Sequence, residues 1–138
     1  MINNYFEKLE PLLSKIHDVL KKFYTSSSNV SVDEMIVQFS ERSIHTVRIK
    51  NKLTSEGFKI LFLCESGYTY TFLPTSYVSS SNVTRVNSLN QIGCLVYHLV
   101  TQLSYQQFSY NIYMNNYFSN VSLFQYLRQI GINAYGTI

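Results

Sequence analysis

The chain has 138 residues, enough for one domain, and 46% of them are hydrophobic, so there is apolar material for a real core. Only 14% are charged, against about 25% in an average globular chain, which points to surface that something else covers. The net charge of +3 says little about nucleic acid on its own, and two cysteines are too few for a disulfide scaffold.

Phe6, Leu9, Leu13, Ile16, Leu20 and Phe23 recur at helical spacing and predict an amphipathic N-terminal helix. Pro11 reads as part of its first turn, where proline is tolerated, and the polar run from Thr25 to Asn29 ends it. The period then changes to two. Ser31 to Phe39 reads as a strand with Asp33, Met35, Val37 and Phe39 on one face and Glu34, Ile36 and Gln38 on the other. A polar turn follows around Glu41 to Ser43. Gly57 to Glu65 is a nearly continuous apolar run, expected to be a central strand buried on both faces. Ser66-Gly67 makes a tight turn, and the alternating Tyr and Thr of Tyr68 to Leu73 return as the antiparallel partner.

Thr75 to Asn87, rich in Ser, Thr and Asn, reads as a mobile loop. A helix is expected from about Ser88 to Leu103, with Ile92, Leu95, Val96, Leu99 and Leu103 on one side. Ser109 to Asn115 is a fourth strand. Ser119 or Asn120 caps a last helix that stops at Gly131, and Asn133 to Ile138 begins a fifth strand. The predicted fold class is α/β: an N-terminal helix, a three-strand antiparallel meander, then helix-strand-helix-strand. That order fits an RNase H-like sheet in which the first strand is central and the fourth lies parallel beside it. The expected division is a helical segment at 1–29 and a partial RNase H-like domain at 30–138. There is no secretory signal pattern and no membrane-spanning apolar run, so an intracellular chain without a membrane partner is expected.

All eight acids lie at or before Glu65, so carboxylate chemistry must use the first half of the chain. In the expected sheet, Asp33 on the first strand and Asn115 at the end of the fourth face each other. A carboxylate pair at such positions can hold divalent cations that activate water or a hydroxyl against a phosphodiester. Arg42, Arg48, Lys50, Lys52 and Lys59 fall close together and read either as a solvated face or as phosphate contacts. Tyr68, Tyr70, Tyr113 and Tyr117 read as sheet packing before base stacking. His17, His45 and His98 show no ligand spacing, and Cys64 and Cys94 read as buried thiols.

An ordered series of short motifs carries a resemblance. It runs through Val32-Asp-Glu-Met-Ile-Val-Gln-Phe39, Glu41-Arg-Ser43, Lys50-Asn-Lys52, Glu56-Gly-Phe-Lys-Ile60 and Gly67-Tyr-Thr-Tyr70. It continues through Ile112-Tyr-Met-Asn-Asn-Tyr-Phe-Ser119, Leu123-Phe124, Leu127 to Gly131, and Gly136-Thr137. Together these resemble the catalytic domain of piggyBac-type transposases, from about Tyr24 to the end. The resemblance implies a DDE, RNase H-like domain that cuts and joins DNA with Mg²⁺. Asp33 matches the first catalytic aspartate, and hence a metal ligand. Asn115 occupies the place of the second, and Leu53 stands where the family usually has Pro. The remaining family carboxylates come after the motif that ends this chain, so a truncated domain is implied.

Asn offers a neutral oxygen where two metals want an anion. The expectation is therefore a transposase-derived domain, nuclear by resemblance, that does not functionally bind Mg²⁺. It would be either a relic or a domesticated fragment retained for binding. DNA contact and self-association both remain open as partner modes, and a protein interaction module with no nucleic-acid role is the alternative.

Overall fold

In the computed structural model, the described residues are 2–23, 27–39, 46–54, 56–76 and 85–137, with side chains in the first helix described from 8 to 22. The elements are α1 (Ile2–Phe23), β1 (Asn29–Gln38), β2 (Thr46–Arg48), β3 (Glu56–Glu65), β4 (Tyr68–Pro74), α2 (Gln91–Val100), β5 (Asn111–Met114), α3 (Val121–Gln129) and β6 (Asn133–Gly136). They form a mixed α/β fold around one six-stranded sheet. Its order is β2-β3-β1-β5-β6, with β4 also paired to β3.

β1 lies antiparallel to β3, with Val32 opposite Leu63 and Asp33 opposite Phe62. On its other side β1 runs parallel to β5, and β5 runs parallel to β6. The expected central first strand and its parallel neighbour are therefore present. β3 turns into β4 through Ser66 and Gly67, both at positive φ (47° and 83°), as a two-residue hairpin demands. Ser66 carries that conformation at some cost, and Gly67 carries it freely.

Because side chains alternate across the sheet, one face collects Val30, Val32, Leu61, Leu63, Ile112 and Met114, all buried. Leu95, Val96, Leu99 and Val100 of α2 and Leu123 and Leu127 of α3 complete that core. Asn90 caps α2 by accepting from Gly93 N–H (2.7 Å), and Asn120 caps α3 by accepting from Ser122 and Leu123 N–H (2.8 and 3.3 Å). Gly131, at φ 83°, follows α3 as the expected stop.

Four expectations are corrected. The meander has an extra strand, β2, which pairs with the first residues of β3 and shares that edge with β4. Three residues are too few to give a periodicity signal. β3 is buried on one face only; Phe58, Ile60, Phe62 and Cys64 on its other face are half-covered. A continuous apolar run does not distinguish a two-sided strand from one with a partly open apolar face. α2 begins at Gln91, after its Asn90 cap, because that side chain takes an N–H that would otherwise be unpaired. Pro11 sits in the interior of α1 and not in its first turn. It lies on the exposed side, where water can serve the carbonyl that loses its N–H partner.

α1 rests against the β4 edge of the sheet. Tyr68 donates its hydroxyl to the Leu20 carbonyl (2.8 Å), and His17 donates Nε2–H to the Phe72 carbonyl (2.9 Å). Lys21 reaches Gln102 beyond α2 (3.3 Å), and Leu13 packs on the core. The polar turn at Glu41 to Ser43, His45 and most of the loop expected at Thr75 to Asn87 lie outside the described residues. Among the described residues, no helix is long and apolar enough to cross a membrane.

Candidate functional site

The parallel pairing of β1 and β5 builds the site. Val32 is in register with Met114, so the next residues, Asp33 and Asn115, stand side by side where β5 ends. Both are exposed. They line one shallow cleft with Ser31, Tyr113, Tyr135, Gly136 and Thr137. The two positions singled out from sequence thus share one site.

Each side chain already has a local task. Asp33 Oδ1 accepts from Glu34 N–H (2.8 Å). Asn115 Oδ1 accepts from Tyr117 N–H (3.0 Å), an Asx-turn that redirects the chain after β5. The Asn115 carbonyl takes the Ser119 hydroxyl (2.9 Å) and the Phe118 N–H (3.1 Å). Phe118 anchors this turn in the core. A Cβ on Gly136 would collide with the Ser119 hydroxyl and approach Phe124 Cζ to 2.8 Å, so only glycine lets β6 pass this closely.

The ligand chemistry is thin. Mg²⁺ requires hard oxygens and negative charge to balance its own. Asp33 supplies one carboxylate; Asn115 supplies a neutral oxygen already engaged by Tyr117 N–H. Among the described residues, no group of three or more His, Cys, Asp or Glu side chains could hold a metal. These residues do not fit a two-metal centre. Burial, and after it the Asp33 charge, push the Cys64 thiol above its ordinary value.

The basic group divides. Arg48 and Lys50 are exposed. Lys52 pairs with Glu34 (3.0 Å), and the second Glu34 oxygen is buried without a partner. Lys59 is 8% exposed, and its ammonium lies 3.8 Å from the Tyr117 ring centroid, a cation–π contact on the covered side of the sheet. Alternation explains this, since Lys59 pairs with Ile36 and not with a residue of the Asp33 face. Arg42 lies outside the described residues.

Two features of this face were not read from the sequence. Asn29, Asn111 and Asn133 form a ladder across the three parallel strands, each side-chain amide donating to the next oxygen at 3.0 Å. Two residues along, Tyr113 and Tyr135 stack at 5.1 Å and 17°. Their signal was the shared phase, since Asn and Tyr recur at the same separation in Asn111–Tyr113 and Asn133–Tyr135.

Residues 3–138 match the family described as Transposase IS4. Among solved structures, the chain is similar to one described as a cryo-EM structure of the piggyBac transposase synaptic complex with hairpin DNA. The identity is 23% and the TM-score 0.80, covering 96% of this chain. The match covers 27% of that chain, so the present sequence spans about a quarter of the solved protein. No curated protein matches. The fold is thereby the RNase H-like one expected, and the family implies use of a divalent metal. With the family matched across nearly its whole length, this chain belongs to the IS4 transposases, of the piggyBac type.

Proposed function

We propose that this chain is a transposase-type domain that engages DNA without cutting it. The observation that carries the reading is the Asp33–Asn115 pair. The strand register sets Asp33 and Asn115 side by side, and Asn115 is a neutral amide committed to its own turn. Two cations held close together need bridging negative charge, which a single exposed carboxylate does not supply. Among the described residues that line this cleft, Asp33 is the one acid.

DNA contact falls to Arg48 and Lys50, the exposed cations leading into β3, in a chain whose net charge is +3. A duplex partner also accords with a nuclear place of work. Incubation of the chain with transposon-end duplex and Mg²⁺ or Mn²⁺ should give binding and no strand cleavage. Binding should weaken steeply with salt, since each phosphate contact contributes about −0.9 to the slope of log K against log salt. Replacing both Arg48 and Lys50 by Ala should remove about two units of that slope. Cleavage that Asp33→Ala abolishes would overturn the silent-site reading. No binding at low salt would overturn the DNA reading.

A further inference from the structure

Glu34 follows Asp33 on β1 but points to the covered face of the sheet, where two lysines lie near it. Lys52 pairs with its Oε1 at 3.0 Å, while Oε2 is buried and accepts no hydrogen bond. Because that oxygen is already covered, nothing outside the fold can reach it in this arrangement. A donor has to come from the side chains around it. Lys59 is placed to be that donor. The strand register sets Glu34 opposite Leu61 and Ile36 opposite Lys59. Glu34 and Lys59 are therefore diagonal neighbours on one face, within reach of a long side chain.

Lys59 is turned the other way. Its ammonium lies 3.8 Å from the Tyr117 ring centroid and forms no ion pair among the described residues. Tyr117 belongs to the turn after β5, where its N–H is held by Asn115 Oδ1 at 3.0 Å. Lys59 thus has two partners within reach and occupies one of them. The two differ in strength. A cation over a ring is the weaker contact, and an ammonium on a buried carboxylate is a charge-assisted hydrogen bond. Lys52 decides between them, because it already neutralises Glu34 and repels a second ammonium. The Lys52 side chain is 37% exposed, so an anion in solution can draw it off.

We propose that Lys52, Glu34 and Lys59 form a relay that couples an anion bound at the surface to the Asn115 turn. An anion that takes Lys52 from Glu34 leaves a buried carboxylate without its counter-charge. Breaking a buried pair from one side is more unfavourable than giving up a ring contact. Lys59 then leaves the Tyr117 ring for Glu34. The turn that sets Asn115 beside Asp33 loses its brace on the covered side. Lys52 follows the exposed Lys50 by two residues, so a DNA phosphate suits the role of the anion. For that identity alone the relay rests on the DNA reading.

The test reads both ends of the relay by NMR on the whole chain. In the native protein the Tyr117 ring current shifts the Lys59 Hε resonances upfield. Lys52→Met mimics anion capture without any ligand. It should remove that upfield shift and speed exchange of the Tyr117 amide proton roughly tenfold, while the Leu61 and Ile112 amides stay unchanged. Glu34→Gln removes the charge that draws Lys59 across, so adding Lys52→Met to it should move neither signal. Lys59→Met should speed Tyr117 exchange by itself, and Lys52→Met should then add nothing. A Lys59 shift that survives Lys52→Met, or a Lys52→Met effect that persists with Glu34→Gln, would overturn the relay. Transposon-end duplex at saturation should reproduce the Lys52→Met spectrum in the native chain. A duplex that binds and leaves Lys59 on Tyr117 would overturn phosphate as the trigger. A duplex that does not bind sinks the DNA reading, and the relay then stands or falls on the variants.

Discussion

The two faces of the sheet are made by alternate residues of the same strands and do different work. On the covered face, Leu61 and Ile112 are fully buried under α2 and α3. On the Asp33 face, Met35 and Val37 are 48% and 44% exposed, and Tyr113 and Tyr135 cover one another. Full burial is thus concentrated on one face, while the candidate site lies on the other, whose side chains are exposed or half-covered. The largest expected effect tests that division. Ile112→Ala should cost about 3 kcal/mol in urea unfolding, from lost transfer energy plus a cavity. Met35→Ala should cost under about 1 kcal/mol, because water already reaches the side chain. Comparable losses would mean that the open face carries stability as well.

Gly136→Ala probes the meeting point of the two faces and should cost about 2 kcal/mol, through the collision with Ser119 and Phe124. Because the Ser119 hydroxyl is the first atom met, Ser119→Ala should recover part of the loss. Additive effects in a double-mutant cycle would show that the Ser119 contact is not the cause.

The covered face was the more legible in the sequence. Val30, Val32, Leu61, Leu63 and the helical stripes of α2 and α3 announce themselves by period, and Asn120 and Gly131 bound α3 by their chemistry. β2 was not legible, being too short for any period. The half-covered side of β3 was misread because burial on the second face depends on what packs there, not on the strand's own residues. The adjacency of Asp33 and Asn115 was readable only through fold order, since a parallel register joins residues 82 positions apart. The division of α1 into a packed side and an exposed side could not be read at all. Both sides are apolar, and only the position of β4 separates them.

Among the described residues of the covering layer, His98 is a titratable weak point. Burial, and after it the nearby His17, hold His98 below the ordinary histidine value of 6.5. Glu10 lines the same cavity between α1, β4 and α2. In the folded state His98 stays neutral to lower pH than in the unfolded state. Its contribution is therefore whole above about pH 6.5 and is lost as pH falls from there through the folded value. Thermal unfolding should show stability declining below about pH 6.5, with His98→Gln flattening that decline. An unchanged profile in the variant would place the titration elsewhere.

The smallest expected effect bears on the open face, at Asn115. Asn115→Asp keeps an oxygen for the Tyr117 N–H and adds a second carboxylate beside Asp33. Without metal, the paired charges should lower stability slightly, by well under about 1 kcal/mol at so exposed a position. With Mn²⁺ the sign should reverse. A cation that binds only the folded state stabilises by RT ln(1 + [L]/Kd), about 1.4 kcal/mol at tenfold saturation. The native chain should show no such Mn²⁺-dependent rise in Tm, and Asp33→Ala should cancel it in the Asn115→Asp variant. If the native chain responds equally, Asp33 and the neutral amide already suffice for one cation. The turn would then have kept an Asn at position 115 without loss of metal affinity, and the silent-site reading would lose the observation it rests on.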